Sequence, residues 1–151
     1  MVKVGKFLFQ RTKNMNVILQ KFVYPKEDKN CKNIINLGII RAEWTPQVSM
    51  FTKKTNLKKL NGKNKYLDIL EKVTTFDGKE QNVVSESLTS PLISTDIEKI
   101  CVNIVKHIQT ISAGNTQVSG LTLFFKIDKL NRIWLLFCSQ IKIRNKVRIL
   151  Y

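Results

Sequence analysis

The sequence is short of the residues from which common catalytic and metal sites are built. It has a single histidine, His107, three cysteines and eleven carboxylates among 151 residues. One histidine and no closely spaced cysteine pair leave too few ligands of the right type for a zinc site. The carboxylates are scattered, with no pair placed to divide acid and base roles. Asn61-Gly62-Lys63-Asn64 offers a Gly-Lys pair but lacks the upstream glycine and following Ser/Thr of a phosphate-binding loop. The glycines at 114 and 120 follow an expected helix instead of opening one, so a helix dipole would not reinforce them. Neither a Gly-x-Ser-x-Gly elbow nor a kinase signature occurs. The expectation is a non-enzymatic chain with no catalytic residue, cofactor or metal, and with His107 at the water boundary of a helix.

Other absences bound the architecture. The longest apolar run, Ile133 to Cys138, has six residues, far short of the ~20 that span a bilayer. Val2 to Gln10 is interrupted by Lys3 and Lys6, so it is not a secretory core. Cys31, Cys101 and Cys138 are odd in number and far apart. That pattern fits reduced thiols in a cytosolic or nuclear protein, with Cys101 and Cys138 as small core residues. There is no repeat and no Gly/Ser- or Pro-rich linker, so one domain suffices.

What is abundant is lysine. The net charge is +15, which in general favours nucleic acid, an anionic membrane or an acidic protein as partner. Yet 21 of the 26 cations are lysine and only 5 are arginine, the residue suited to bidentate phosphate and base contacts. Lys, Asn and Ile make up 51 residues, and all three have AT-rich codons. Base composition therefore accounts for lysine as readily as selection for an acidic partner does.

Residues 1–30 form a basic N-terminal arm with no acid before Glu27. Val4, Phe7, Leu8, Met15, Ile18, Leu19 and Phe22 recur near helical spacing. Three readings fit: a helix packed on the domain, a helix docking a membrane or partner, and an organelle transit peptide. The last is opposed by the lack of serine and the single arginine.

Residues 31–151 read as one α+β domain. Ile34 to Trp44, closed by Thr45-Pro46, and Val48 to Thr52 read as strands. Val73 to Phe76 and Lys79 to Val84 read as a hairpin around Asp77-Gly78, and Ser85 to Pro91 as a loop. Tyr66 to Leu70 suits strand or helix. Thr95-Asp96-Ile97-Glu98 has the form of a capping box. It opens an expected helix to Ala113 whose stripe is Ile97, Ile100, Cys101, Ile104, Val105, Ile108 and Ile111, with Gly114 as the stop. A second hairpin turns at Asp128 to Asn131. Alternation puts Leu121, Leu123, Phe125 and Ile127, with Ile133, Leu135, Phe137, Ile141 and Ile143, on the face that seats the helix. The expected architecture is an antiparallel sheet of five or six strands with one long amphipathic helix on one face.

The same alternation puts Phe124, Trp134 and Leu136 on the reverse face. Three large apolar groups in water make a patch that monomers avoid, so they are the candidate interaction face, covered by the arm or by a partner. Two basic patches join them as candidates. Lys53, Lys54, Lys58, Lys59, Lys63 and Lys65 fall within thirteen residues without an acid and read by default as a solvated loop. Lys142, Arg144, Lys146 and Arg148 alternate with Ile141, Ile143, Val147 and Ile149, as on an edge strand kept soluble by charge. No aromatic ladder interleaves these cations, which counts against specific RNA binding.

Arg41-Ala42-Glu43-Trp44, Val73-Thr74-Thr75-Phe76-Asp77-Gly78, and Phe125 to Asp128 with Arg132 to Ser139 are similar to the N-terminal module of large uncharacterised cilia- or flagella-associated proteins. The resemblance spans residues 34–144. It implies a structural or interaction role in a cytoskeletal or flagellar assembly, and a chain without that family's downstream part. The function expected from all this is a non-enzymatic protein-interaction module of the cytoplasm, with a basic nucleic-acid-binding domain as the alternative. Salt-sensitive contact with nucleic acid or an anionic membrane is expected from the charge alone.

Overall fold

The computed structural model describes residues 20–24, 38–59, 68–73 and 75–145. Cys31, Lys63, Lys65, Lys146, Arg148 and most of the arm lie outside these residues. Five strands form one antiparallel sheet: β1 (Gly38–Trp44), β2 (Ser49–Asn56), β3 (Val83–Ser87), β4 (Thr116–Ile127) and β5 (Ile133–Asn145). Their spatial order is β3-β2-β1-β4-β5. A short helix α1 (Ile69–Val73) and the long helix α2 (Pro91–Ile111) complete the fold. The α+β class, the antiparallel sheet and the single long helix follow the sequence pattern. Among the described residues no helix is long and apolar enough to cross a membrane.

The first hairpin of the sheet is β1–β2, closed by Thr45, whose hydroxyl and amide both pair with Val48. The hairpin expected around Asp77-Gly78 does not form. Val73 ends α1, residues 80–82 make one 3₁₀ turn, and the following strand pairs with β2 instead. Residues 75–78 form a bend leading to the 3₁₀ turn, not a two-residue turn between paired strands. The segment Ser85–Ser87, expected as loop, is the end of β3. Local turn chemistry lost here to the larger gain of pairing a strand with β2's open edge.

Helix α2 starts four residues before the expected capping box. Ser90 is its N-cap and Pro91 occupies the first turn, where a missing N–H costs nothing and the fixed φ suits the helix. Thr95 is therefore internal, and the Glu98 carboxylate accepts a 3.0 Å hydrogen bond from the Ser49 hydroxyl of β2. At the other end the Gly114 N–H donates to the Gln109 carbonyl and the Ala113 N–H to that of Thr110. This paired closure needs a left-handed residue at the position held by Ala113, whose φ is 49°. A side chain is unfavourable there. Ala113→Gly should thus stabilise the domain by about 0.5–1 kcal/mol, read as a rise in the denaturation midpoint. An unchanged or lower midpoint would contradict the left-handed cap.

The core lies between α2 and the middle of the sheet. Ile97, Cys101 and Val105 from the helix meet Ile40, Ala42 and Trp44 of β1 and Val118, Leu121, Leu123 and Phe125 of β4. Burial pushes the Cys101 thiol up to about 11, so it packs as an inert apolar group. Ile100, Ile104 and Ile108 are half-buried at the margin. Ile111, expected inside, is exposed. His107, expected to pack at the boundary, is exposed as well.

Candidate interaction surfaces

The geometry of β5 sets which surfaces remain open. A helix is ~10 Å across and strands lie ~4.8 Å apart, so one helix covers about two strands. Helix α2 sits over β1 and β4, and β5 is the outermost strand beyond them. On the helix side of β5, Leu135, Ile141 and Ile143 are consequently exposed, although the alternation placed them in the core. Cys138 pairs with Leu123 on that side and is also exposed, not a core residue.

Two irregularities in β5 re-aim its side chains. Phe125 pairs with Leu135 but Phe124 pairs with Phe137, so Leu136 is an extra residue in the ladder. Thr122 pairs with Gln140 and Leu123 with Cys138, which makes Ser139 a second one. A bulge of one residue swaps the faces of everything beyond it. Phe137, expected under the helix, therefore lies on the reverse face, and the second bulge restores Ile141 and Ile143 to the helix side.

The reverse face gathers aromatic rings from distant segments. Phe124 is buried, stacked on Phe137 with centroids 4.5 Å apart and met edge-on by Phe76 at 5.1 Å. Arg41 of β1 and Lys54 of β2 lie over the Phe76 ring at 5.4 and 5.1 Å. Lys126, opposite Trp134, has its ammonium 4.2 Å from the Phe22 ring. Arg132 lies over Trp134 at 5.3 Å. Lys142 and Arg144 continue this face along β5, the Lys142 stem lying against the bare backbone of Gly120.

The turn joining β4 and β5 is organised by one carboxylate. Asp128 accepts hydrogen bonds from the Leu130 and Arg132 amides, the Arg132 guanidinium and the Trp134 indole N–H. Burial alone would push its carboxyl up, but the bonds from Trp134, Arg132 and Leu130 outweigh this and hold it well below the usual carboxylate range. Asn131 takes the positive φ of 61° that the turn needs, as its sequence suggested.

Of the candidate interaction face, the structure keeps only part. Phe124 is covered by Phe76 and Phe137, so it supports the surface without presenting one. Trp134 is 42% exposed. Leu136 sits half-buried in the first bulge, and its carbonyl accepts a hydrogen bond from the Gln20 side chain. The described end of the arm, Gln20–Tyr24, has no helical turn despite its apolar spacing, and a cleft of about 570 Å³ separates it from the β4–β5 turn. The lysine run of residues 53–65 is likewise not one solvated loop. Lys53 and Lys54 belong to β2 and point to opposite faces, Lys53 pairing with Glu86 at 2.8 Å. Lys58 and Lys59 follow the strand.

Burial lowers the Lys126 ammonium to about 8. Its ordinary value is near 10.5, so between these two pH values the unfolded chain holds a proton that the folded chain has lost. Stability contributed by this site therefore rises with pH across that window and is least below pH 8. The wild-type chain should gain about 1–2 kcal/mol relative to Lys126→Met between pH 8 and 10.5, a figure reduced for solvent screening. Parallel stability curves for the two proteins would show that Lys126 stays fully charged.

Among the described residues no group of three His, Cys, Asp or Glu side chains is close enough to hold a metal ion. The fold is an antiparallel α+β sheet domain with one face half-covered by a helix. No protein-family model matches the chain, and no curated protein or solved structure resembles it significantly.

Proposed function

We propose that this chain is a non-enzymatic module that docks a protein partner along β5, within a cytoplasmic assembly. The sequence resemblance suggests a cytoskeletal or flagellar assembly as the setting. One observation carries the reading: α2 leaves the helix side of the outermost strand uncovered, with Leu135, Ile141 and Ile143 in one open row. Among the described residues no further strand pairs with the outer edge of this thirteen-residue strand, so an extended segment can add there. Backbone pairing then supplies affinity, and the apolar row supplies selectivity.

A photo-crosslinking residue placed at Ile141 tests this in the native cell. It should give one discrete protein adduct that survives high salt, while the same probe at the solvent-facing Lys106 should not. Ile143→Ser should abolish the adduct without changing the circular dichroism of the purified chain. Absence of a discrete protein adduct at Ile141, or adducts equal at both positions, would defeat the proposal.

A further inference from the structure

We infer that the reverse face of the sheet binds single-stranded nucleic acid, by stacking bases on Trp134 and Phe137 between flanking cations. This site is separate from the apolar row of β5, which lies on the opposite face of the same strand.

Phe137 is 39% exposed and rests flat on the buried Phe124, with 16° between the ring planes. Its free face is thus held in a fixed orientation by a ring beneath it. Trp134 precedes it on the same face, because the bulge at Leu136 brings residues three apart in sequence onto one side. Their separation along the strand is ~7 Å, two rises of a β-strand. That spacing suits successive bases of an extended single strand, whereas a duplex keeps its bases stacked on one another. The indole N–H of Trp134 is tied to Asp128, so this ring too is positioned before any ligand arrives.

The ring platform is bordered by Arg41, Lys54, Lys126, Arg132, Lys142 and Arg144. Among the described residues, Glu43 is paired with Arg41 at 3.1 Å and Asp128 with Arg132 at 2.7 Å, and Asp77 follows Phe76 in the exposed loop. The surplus is positive and follows the strands, as a phosphate backbone crossing the rings requires. Three of the chain's five arginines are among these cations. An acidic peptide would satisfy the charge but leave the exposed flat rings unused. A string of bases uses both.

The cleft beside Trp134 is walled by Phe22, Tyr24 and Arg132. Phe22 and Tyr24 share this cleft with the exposed indole, which leaves room for a flat base beside Trp134.

The test is fluorescence anisotropy of the full chain with three labelled probes: a twelve-nucleotide oligouridine, an abasic ribose-phosphate strand of equal length, and a twelve-residue oligoglutamate. Oligouridine should bind at least tenfold more tightly than either of the others at 150 mM salt. Trp134→Ala and Phe137→Ala should each weaken it roughly tenfold at an unchanged salt slope, since base stacking on an aromatic ring is lost without loss of charge. Lys142→Gln with Arg144→Gln should instead flatten the dependence of affinity on salt. Ile141→Ser with Ile143→Ser should leave oligouridine binding intact, which separates this site from the proposed protein-docking row. Circular dichroism verifies that each variant is folded. Equal affinity for the oligouridine and abasic strands, or tighter binding of oligoglutamate, would overturn the inference. So would Trp134 and Phe137 variants that bind like wild type.

Discussion

Replacing Phe125 with alanine should destabilise the domain by about 3–5 kcal/mol, the range typical of truncating a fully buried phenylalanine. Phe125 has no exposed surface and stands in the middle of the cluster joining α2 to β1 and β4. Its strand is paired on both sides, with Ile40 of β1 and Leu135 of β5, so the backbone is poorly able to collapse into the space left behind. The loss combines the transfer free energy of the ring with the contacts forfeited around the cavity. Urea denaturation followed by circular dichroism measures it directly, as a lower midpoint at constant slope. Ile104→Ala is the comparison. Ile104 lies at the half-buried margin of the same helix, so it should cost clearly less. A Phe125→Ala loss below about 1 kcal/mol would mean that the helix does not seat on this part of the sheet.

The second large effect is expected from a polar residue. Asn56, at the end of β2, is wholly buried. Its amide N–H₂ donates to the Glu71 carbonyl at 2.8 Å, and its side-chain carbonyl accepts from the Lys58 N–H at 2.8 Å. One side chain thereby ties α1 to the sheet and forms the turn leaving β2. Asn56→Leu preserves much of the volume but strands both backbone groups, at about 2–4 kcal/mol for the two together. Asn56→Asp keeps the acceptor for Lys58 and loses the donor to Glu71, so its loss should be smaller only if the carboxylate tolerates burial. The consequence reaches the reverse face, because α1 leads directly into the loop carrying Phe76. In Asn56→Leu the amides of residues 75–78 should exchange with solvent faster than in the parent. Full stability in that variant would show that α1 is anchored by other contacts.

Much of the fold was legible because its strongest signals are local and periodic. The stripe from Ile97 to Val105 identifies the long helix, and the alternation from Leu121 to Phe125 identifies its seat. Asp128 and Asn131 mark the last turn because both residues tolerate the backbone geometry that turns demand. The misplaced elements share another cause. Asp77-Gly78 has the local chemistry of a hairpin, yet nothing local reports that β2 has an open edge for Val83–Ser87. Thr95 and Glu98 have the spacing of a capping box, but Ser90-Pro91 already starts the helix one turn earlier, and a box can cap only where the backbone is still free. Proline in the first turn was a readable signal for that earlier start.

The reverse face shows the limit most clearly. In sequence Phe76, Phe124, Trp134 and Phe137 are scattered, and the basic runs lack interleaved aromatic residues. In space a loop after α1 brings Phe76 over Phe124, and a bulge at Leu136 turns Phe137 out of the core to join them. Arg41 and Lys54 reach the same rings from β1 and β2. Bulges leave almost no trace in an alternating apolar pattern, and a one-residue slip reverses every later side chain.

Periodicity and composition alone therefore determined the class of fold, the long helix, the last hairpin and the excess of positive charge. Those properties depend on residues near one another in the chain, where spacing translates directly into a face. Only the tertiary structure decided which strand would be outermost, how far the helix would reach, and which rings and cations would meet. Each of those outcomes depends on pairing between segments far apart in sequence, where the total of hydrogen bonds and buried area outweighs any local preference.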